Sequence, residues 1–363
     1  NPAEDVLKRD MVSLETLSSK ANALYELFRK TGNKSFIELS MKTYNLVDKT
    51  IDKIRSGFKE ESSKLLLSKK TFTIFYNAIR TFSAASNLAD DKSKQSMIRK
   101  AFSFCEKGKA LNLLETLIDI KAKDFGGIPD SLLKMEHKLQ YRISLLEAGI
   151  DEEQTLGNGA DKTKLNTFQN SIFDLKKQYY SLIDNYEKNF HEYYSLKYKL
   201  EPVNVDSIRN KILKEKEVLI EYFAGGDQLF IFTISKTDFV LTSVKITDSI
   251  EELVNKFREG LRENNYKLYS LSSYKLYQTI IKPVDKLIAG RNLIIIPDGP
   301  LNYIPFDALI TQPPDPHKVD YRKLHYLIYD HKISYGYSAS LLWENIVRDR
   351  LNEPNSFVGF APY

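Results

Sequence analysis

Few side chains in this sequence could act on a substrate. Cys105 is its single thiol, and five histidines accompany it: His137, His191, His317, His325 and His331. A cysteine nucleophile needs a base beside it and surroundings that lower its pKa. Cys105 stands between Phe104 and Glu106 on an apolar stripe of helical spacing, so it reads as a small buried residue. One cysteine also excludes an internal disulfide framework and a thiolate zinc cluster. The histidines do not form a set. His137 and His191 fall on two helical arms and are expected to be exposed, while His317, His325 and His331 gather loosely around a proline-rich loop and a strand start. No HExxH or comparable ligand spacing points to a metal. Asp298-Gly299 follows an apolar run, where α/β proteins collect ligands at strand ends. With Pro300 next and no glycine-rich phosphate loop, a simple turn is the expected reading. Asp307 faces a cleft or caps a turn, and no role is assigned to it.

Composition sets the frame for these groups. Apolar residues at 42% and charged residues at 28% describe an ordinary globular chain. No stretch approaches the roughly 18 apolar residues that cross a membrane. The net charge of +5 is modest, and Lys and Glu alternate without a dense basic block, so nucleic-acid binding is not expected. The most basic stretch, residues 64–70, reads as the outside of a helix.

Residues 6–198 are helical almost throughout. Leu14, Leu17, Ala21, Leu24, Leu27 and Phe28 make one stripe, and Ile37, Tyr44, Val47, Ile51 and Ile54 a second. Leu65, Phe72, Phe75, Ile79 and Phe82 make a third; Met97, Ala101, Phe104, Gly108, Leu111, Leu114 and Ile118 make a fourth. This three- and four-residue spacing buries one face of each helix. Four helices with short links suggest two helix-turn-helix repeats of the tetratricopeptide kind, with a longer period and an eroded consensus. Repeats need neighbours to cover their ends, so further repeats are expected before residue 1.

Residues 129–198 differ. Leu132, Met135, Leu139, Ile143 and Leu146 share a seam with Leu165, Phe168, Ile172, Leu175, Tyr179, Leu182, Tyr186, Asn189 and Tyr193, Asn189 being the one polar break. This predicts an antiparallel helical hairpin with a glycine-rich tip over residues 149–161. Its second arm is crowded with tyrosines. Most are expected in the core, and Tyr180, Tyr194 and Tyr198 are the candidates for a partner surface.

After Glu201-Pro202 the pattern becomes α/β. Apolar runs at 218–223 and 229–234 flank Gly225-Gly226-Asp227, which predicts antiparallel pairing, and a third strand covers 239–246. Helices are expected at 249–264 and 270–289, strands at 293–296 and 331–337, a helix at 339–350 and a last strand at 356–360. The loop over 310–321 holds three prolines and is either a partner-contacting insertion or an exposed linker. Together these elements make a three-layer domain with a mixed sheet.

Residues 293–309 (LIIIPDGPLNYIPFDAL) carry the most specific signal. An apolar strand stops at Pro297-Asp298-Gly299-Pro300; Leu301, Ile304, Phe306 and Leu309 can then fold back beneath it. The segment resembles the signature strand and turn of the CHAT domain, the caspase- and separase-like module often joined to tetratricopeptide helices. Pro297, Asp298, Gly299, Leu301, Pro305 and Phe306 are the positions that match, as structural residues. Residues 101–117 (AFSFCEKGKALNLLETL) resemble the last repeat before such domains, and residues 190–198 (FHEYYSLKY) resemble the tract preceding them in Bacteroidetes-type bacterial proteins.

The resemblance implies tetratricopeptide-like repeats over residues 1–125, the hairpin over 126–200 and the non-catalytic, pseudo-caspase half of a CHAT domain over 201–363. It implies peptide hydrolysis in the reducing cytoplasm by a His-activated cysteine thiolate, without metal or cofactor. The family's base lies in a His-Gly motif and its nucleophile at the end of a later strand. No histidine here is followed by glycine, and the sequence reaches Tyr363 before either motif. The chain is therefore expected to be inactive alone, with catalytic residues none, and to associate with a catalytic half on the same or another chain. A regulatory protein is expected on the helical repeats. The alternative is a non-enzymatic interaction module on a caspase-like fold; a nucleotide-binding enzyme lacks its glycine-rich fingerprint.

Overall fold

The computed structural model describes residues 11–55, 61–125, 129–155, 161–190, 202–315 and 317–348. Tyr193, Tyr194, Tyr198, His191 and the strand expected at 356–360 lie outside them. Contacts divide the chain into two compact units: Asn1–Thr81 with Leu111–Glu201, and Phe82–Ala110 with Pro202–Tyr363.

In the first unit, α1 (Met11–Thr31) and α2 (Lys34–Arg55) form an antiparallel pair, turned by Gly32 at a φ of 70°. Leu14, Leu17 and Ala21 of α1 and Ile37, Tyr44, Val47 and Ile51 of α2 are buried, and the two helices pack together. The Ser40 hydroxyl donates to the Ala21 carbonyl (2.7 Å), so the helices approach closely. The α1 stripe drifts from its expected line: Leu27 is exposed and Tyr25 takes the inner position. Tyr25 stands four residues after Ala21, on the same face, and Arg80 of α3 (Glu61–Ser86) lies with its guanidinium 4.5 Å over the Tyr25 ring and pairs with Glu26 at 3.0 Å. An aromatic face attracts that cation more than an aliphatic side chain could. Phe72 of α3 is likewise more exposed than its stripe predicts.

Helices α5 (Asp130–Thr155) and α6 (Lys162–Asn189) form the hairpin. Leu139, Ile143, Leu175, Tyr179, Leu182, Ile183 and Tyr186 make its core. The Tyr186 hydroxyl donates to the Leu132 carbonyl (3.0 Å), and Gln140 Nε2 donates to the Tyr179 hydroxyl (3.1 Å). Asp161 caps α6 by accepting from the N–H groups of Thr163 and Lys164. Met135, expected on the seam, points outward and is exposed.

The second unit is built on a five-stranded mixed sheet. Strands β1 (Glu217–Gly225), β2 (Gln228–Ile234) and β3 (Phe239–Lys245) form an antiparallel meander. Gly226, at a φ of 53°, makes the first turn where an L side chain would be strained. Helices α7 (Ile250–Arg262) and α8 (Tyr266–Ile280) then cross over to β4 (Asn292–Ile296), which lies parallel to β1; β5 (Ile333–Tyr335) lies parallel to β4. The spatial order is β3-β2-β1-β4-β5.

Ser249 caps α7, its hydroxyl accepting from the Glu252 N–H. The helix expected over 270–289 is instead α8 followed by a 3-10 turn at Lys282–Val284 and a helical turn at Asp285–Ile288. Pro283 has no N–H to continue the ladder, which breaks the helix there. Strand β5 is shorter than expected because His331 and Lys332 still belong to the approach. The His331 Nδ1 is held at 2.7 Å from the Arg291 carbonyl.

Period-two alternation gives the sheet two apolar faces. Val218, Ile220 and Tyr222 of β1 join Val254, Phe257, Leu276 and Ile280 of α7 and α8 in one core. The opposite face of the sheet is covered by the first part of α4 (Asp91–Phe125). The Phe102 ring meets those of Phe232 (5.4 Å) and Phe239 (5.8 Å) edge-on.

Candidate functional site

Glu221 is the anomaly of the sheet. It sits in the middle of β1, fully buried, with Phe232 as its neighbour on β2 and Ile296 on β4. A carboxylate there is tolerable only with a cation and donors supplied to it. Both come from α4. Cys105, Glu106 and Lys109 occupy one side of that helix because three- and four-residue steps return to the same face.

The Lys109 ammonium lies 3.4 Å from Glu221 Oε1 and donates to the carbonyls of Ile296 (3.3 Å) and Pro297 (3.2 Å). All three of its N–H bonds are thus engaged. The Cys105 thiol points at the same Glu221 oxygen at 3.6 Å. Glu221 Oε2 has no hydrogen-bond partner among the described residues.

Glu106, beside Glu221 in the same cluster, also reaches a helix start. Its two oxygens accept from the N–H groups of Ala339 (3.1 Å) and Ser340 (2.6 Å), at the start of α9 (Ala339–Arg348). The first N–H groups of a helix lack internal partners and carry the positive end of its dipole, so a buried carboxylate suits them. Ser338 adds a cap, its hydroxyl accepting from Leu341 N–H, and the Ser340 hydroxyl accepts from the Val203 backbone. At the end of β4, Asp298 accepts from the Ala224 N–H at 2.8 Å, which ties the strand exit to β1.

The electrostatics follow from burial. Burial, and then the Glu106 charge, push the Glu221 carboxyl well above its ordinary range, with Lys109 opposing both. Burial alone would lower the Lys109 ammonium, but Glu221 and its fellow acids outweigh it and raise the net value. The Cys105 thiol is pushed well up, by burial first and by Glu221 second. Asp298 is raised by burial, against the pull of Lys109. This arrangement holds Cys105 as a protonated thiol. It is a structural charge cluster, the reverse of the setting that makes a thiolate.

Pro297 and Asp298 meet this cluster directly, through the carbonyl bonded to Lys109 and the tie to β1. Gly299 turns the chain at a φ of 52°, and Leu301 and Phe306 are fully buried under the sheet. Pro305 is exposed. The Asp307 carboxylate accepts from the Tyr335 hydroxyl, and that hydroxyl in turn accepts from Phe306 N–H (2.9 Å). Asp307 is thereby a brace between the turn and β5. Tyr180 is half-buried, and its ring packs against Tyr179 of the hairpin core (6.0 Å). His325 bonds the Thr311 hydroxyl (2.8 Å), whereas His331 bonds a backbone carbonyl, so these two serve different loops. His137 is exposed.

Glu221, Glu106 and Lys109 are the members that motif reading passes over. Two signals mark them: one acid inside an otherwise apolar strand, and a Cys-Glu-x-x-Lys spacing on a helix. Among the described residues, no group of three or more His, Cys, Asp or Glu is placed to hold a metal ion. None of their helices is long and apolar enough to cross a membrane.

No curated protein matches the chain. Residues 271–358, which run from α8 through β4, its Pro-Asp-Gly turn and β5 to beyond α9, match the family model of the CHAT domain.

Proposed function

We propose that this chain is the scaffold and regulatory portion of a caspase-like CHAT cysteine peptidase, acting in the cytoplasm. In this reading tetratricopeptide-like repeats occupy residues 1–125, the hairpin 126–200 and the non-catalytic part of the CHAT domain 201–363. The helices receive a regulatory protein, with Tyr180, Tyr194 and Tyr198 on the receiving surface. The histidine base and cysteine nucleophile come from polypeptide outside these residues, in the same or another chain. There the thiolate would attack the scissile carbonyl while backbone N–H groups hold the oxyanion.

The observation that carries the reading is the CHAT match over 271–358, in a unit whose single thiol is sealed against Glu221. The division of labour follows: these residues supply the fold and its anchoring charges, and the chemistry is done elsewhere. The test is incubation of the native chain with a peptide-based thiol-reactive inhibitor. No labelling of Cys105 is expected at neutral pH, and labelling is expected to appear on unfolding. Rapid labelling of native Cys105 together with burst kinetics on a peptide substrate would defeat the proposal.

A further inference from the structure

Helices α7 and α8 pack more closely than side chains normally permit. A Cβ on Gly260 would stand 2.5 Å from the Tyr269 backbone nitrogen. Their inner faces are absorbed by the sheet, through Val254, Phe257, Leu276 and Ile280. Their outer faces leave a groove of about 480 Å³. Leu253, Leu268 and Leu271 line it, and Lys256, Lys267 and Lys275 stand along it. Leu271 is 43% exposed, unusual for a leucine in the middle of a helix that buries most of its apolar residues.

The charges are specific in kind. Lys267 and Lys275 lie eight residues apart on one side of α8, which is about 12 Å along the axis. Lys275 meets Asp248 at 3.2 Å and Lys256 meets Glu252 at 4.0 Å. All four of these side chains are about half exposed or more. Pairs so exposed contribute little and exchange partners readily. Lys267 has no acidic partner among the described residues. An apolar floor between ammonium groups two turns apart fits neither a phosphate backbone, which needs polar contacts throughout, nor a flat lipid surface.

We infer that this groove docks an acidic amphipathic segment of a partner protein: two or three bulky apolar side chains on the leucines, flanked by Asp or Glu facing Lys256, Lys267 and Lys275. This is the helix-in-groove mode of recognition, with complementary charge setting orientation and on-rate. The inference does not rest on the proposed function.

The test is selection from a random 12-residue phage-displayed peptide library on the full chain, with counter-selection on the Lys267→Glu/Lys275→Glu protein. Enrichment of peptides carrying acidic residues around two or three apolar ones is expected. Their fluorescently labelled copies should weaken about tenfold on the lysine variant and on Leu271→Asp, and severalfold in high salt. Thermal unfolding of each variant, measured alongside, should show the folded state retained at the binding temperature, so lost binding is not lost folding. No enrichment, enrichment of basic peptides, binding indifferent to the groove variants, or displacement by single-stranded DNA or anionic vesicles as effective as by peptide would overturn the inference.

Discussion

Replacing Lys109 by methionine keeps most of the side-chain volume and removes the cation that the centre of the sheet depends on. Glu221, fully buried beside the Cys105 thiol, would lose its cation, and the carbonyls of Ile296 and Pro297 would lose their shared donor. Breaking one side of a buried pair costs about 3–5 kcal/mol, since the stranded charge remains. That loss is expected at pH 8. At pH 5 it should shrink, and the sign follows from linkage. The Glu221 carboxyl is raised in the folded state, more so without Lys109, so the folded chain keeps a proton that the unfolded chain releases. Stability then falls as pH rises from the ordinary carboxylate range, by at most about 1.4 kcal/mol per pH unit. The Lys109 ammonium is itself raised, so its contribution in the native protein is fully present below the ordinary lysine range and constant from pH 5 to 8. The double variant Lys109→Met/Glu221→Met removes both charges and should recover much of the loss. Urea unfolding followed by fluorescence is suitable because Trp343, the sole tryptophan, lies in α9 of the same unit. A loss below about 1 kcal/mol at pH 8, or one equal at pH 5 and 8, would refute the buried pair.

Glu106→Ala should cost about 1–3 kcal/mol, because two N–H groups at the start of α9 lose their acceptors, with Glu106→Gln recovering part. Amide exchange at Ala339 and Ser340 should rise before the sheet itself is exposed. Gly260→Ala should cost about 1–3 kcal/mol in thermal unfolding, because the new methyl meets the Tyr269 backbone, which no rotamer change relieves.

Much of the α/β unit was legible as pattern. Apolar runs bounded by glycine and proline marked β1, β2 and β4, and the Gly226 turn fixed the antiparallel pairing. The hairpin seam was legible for the same reason, since Leu139, Leu175 and Tyr186 recur at helical spacing and meet in its core. What pattern could not reveal was partnership at a distance. Residues 218–223 read as one apolar run although Glu221 lies inside it, and nothing local says which cation answers that acid. Likewise the stripe containing Ala101 and Phe104 announces a buried face, yet it is Phe102, off that stripe, whose ring meets the sheet. Single positions went astray while the helix stood: the buried stripe of α1 runs from Ala21 to Tyr25, four residues on, and leaves Leu27 exposed.

The long reach of the Lys109 cluster bears on how the polypeptide is made. Cys105 leaves the ribosome 116 residues before Glu221, and Glu106 precedes Ala339 by 233. At about 5–20 residues per second, the front of α4 waits roughly ten seconds for the strand that covers it and longer for the helix it caps. Throughout that interval its phenylalanines and its lysine face water and passing chains. Synthesis is thus the stage at which this fold is most open to chaperones and to aggregation.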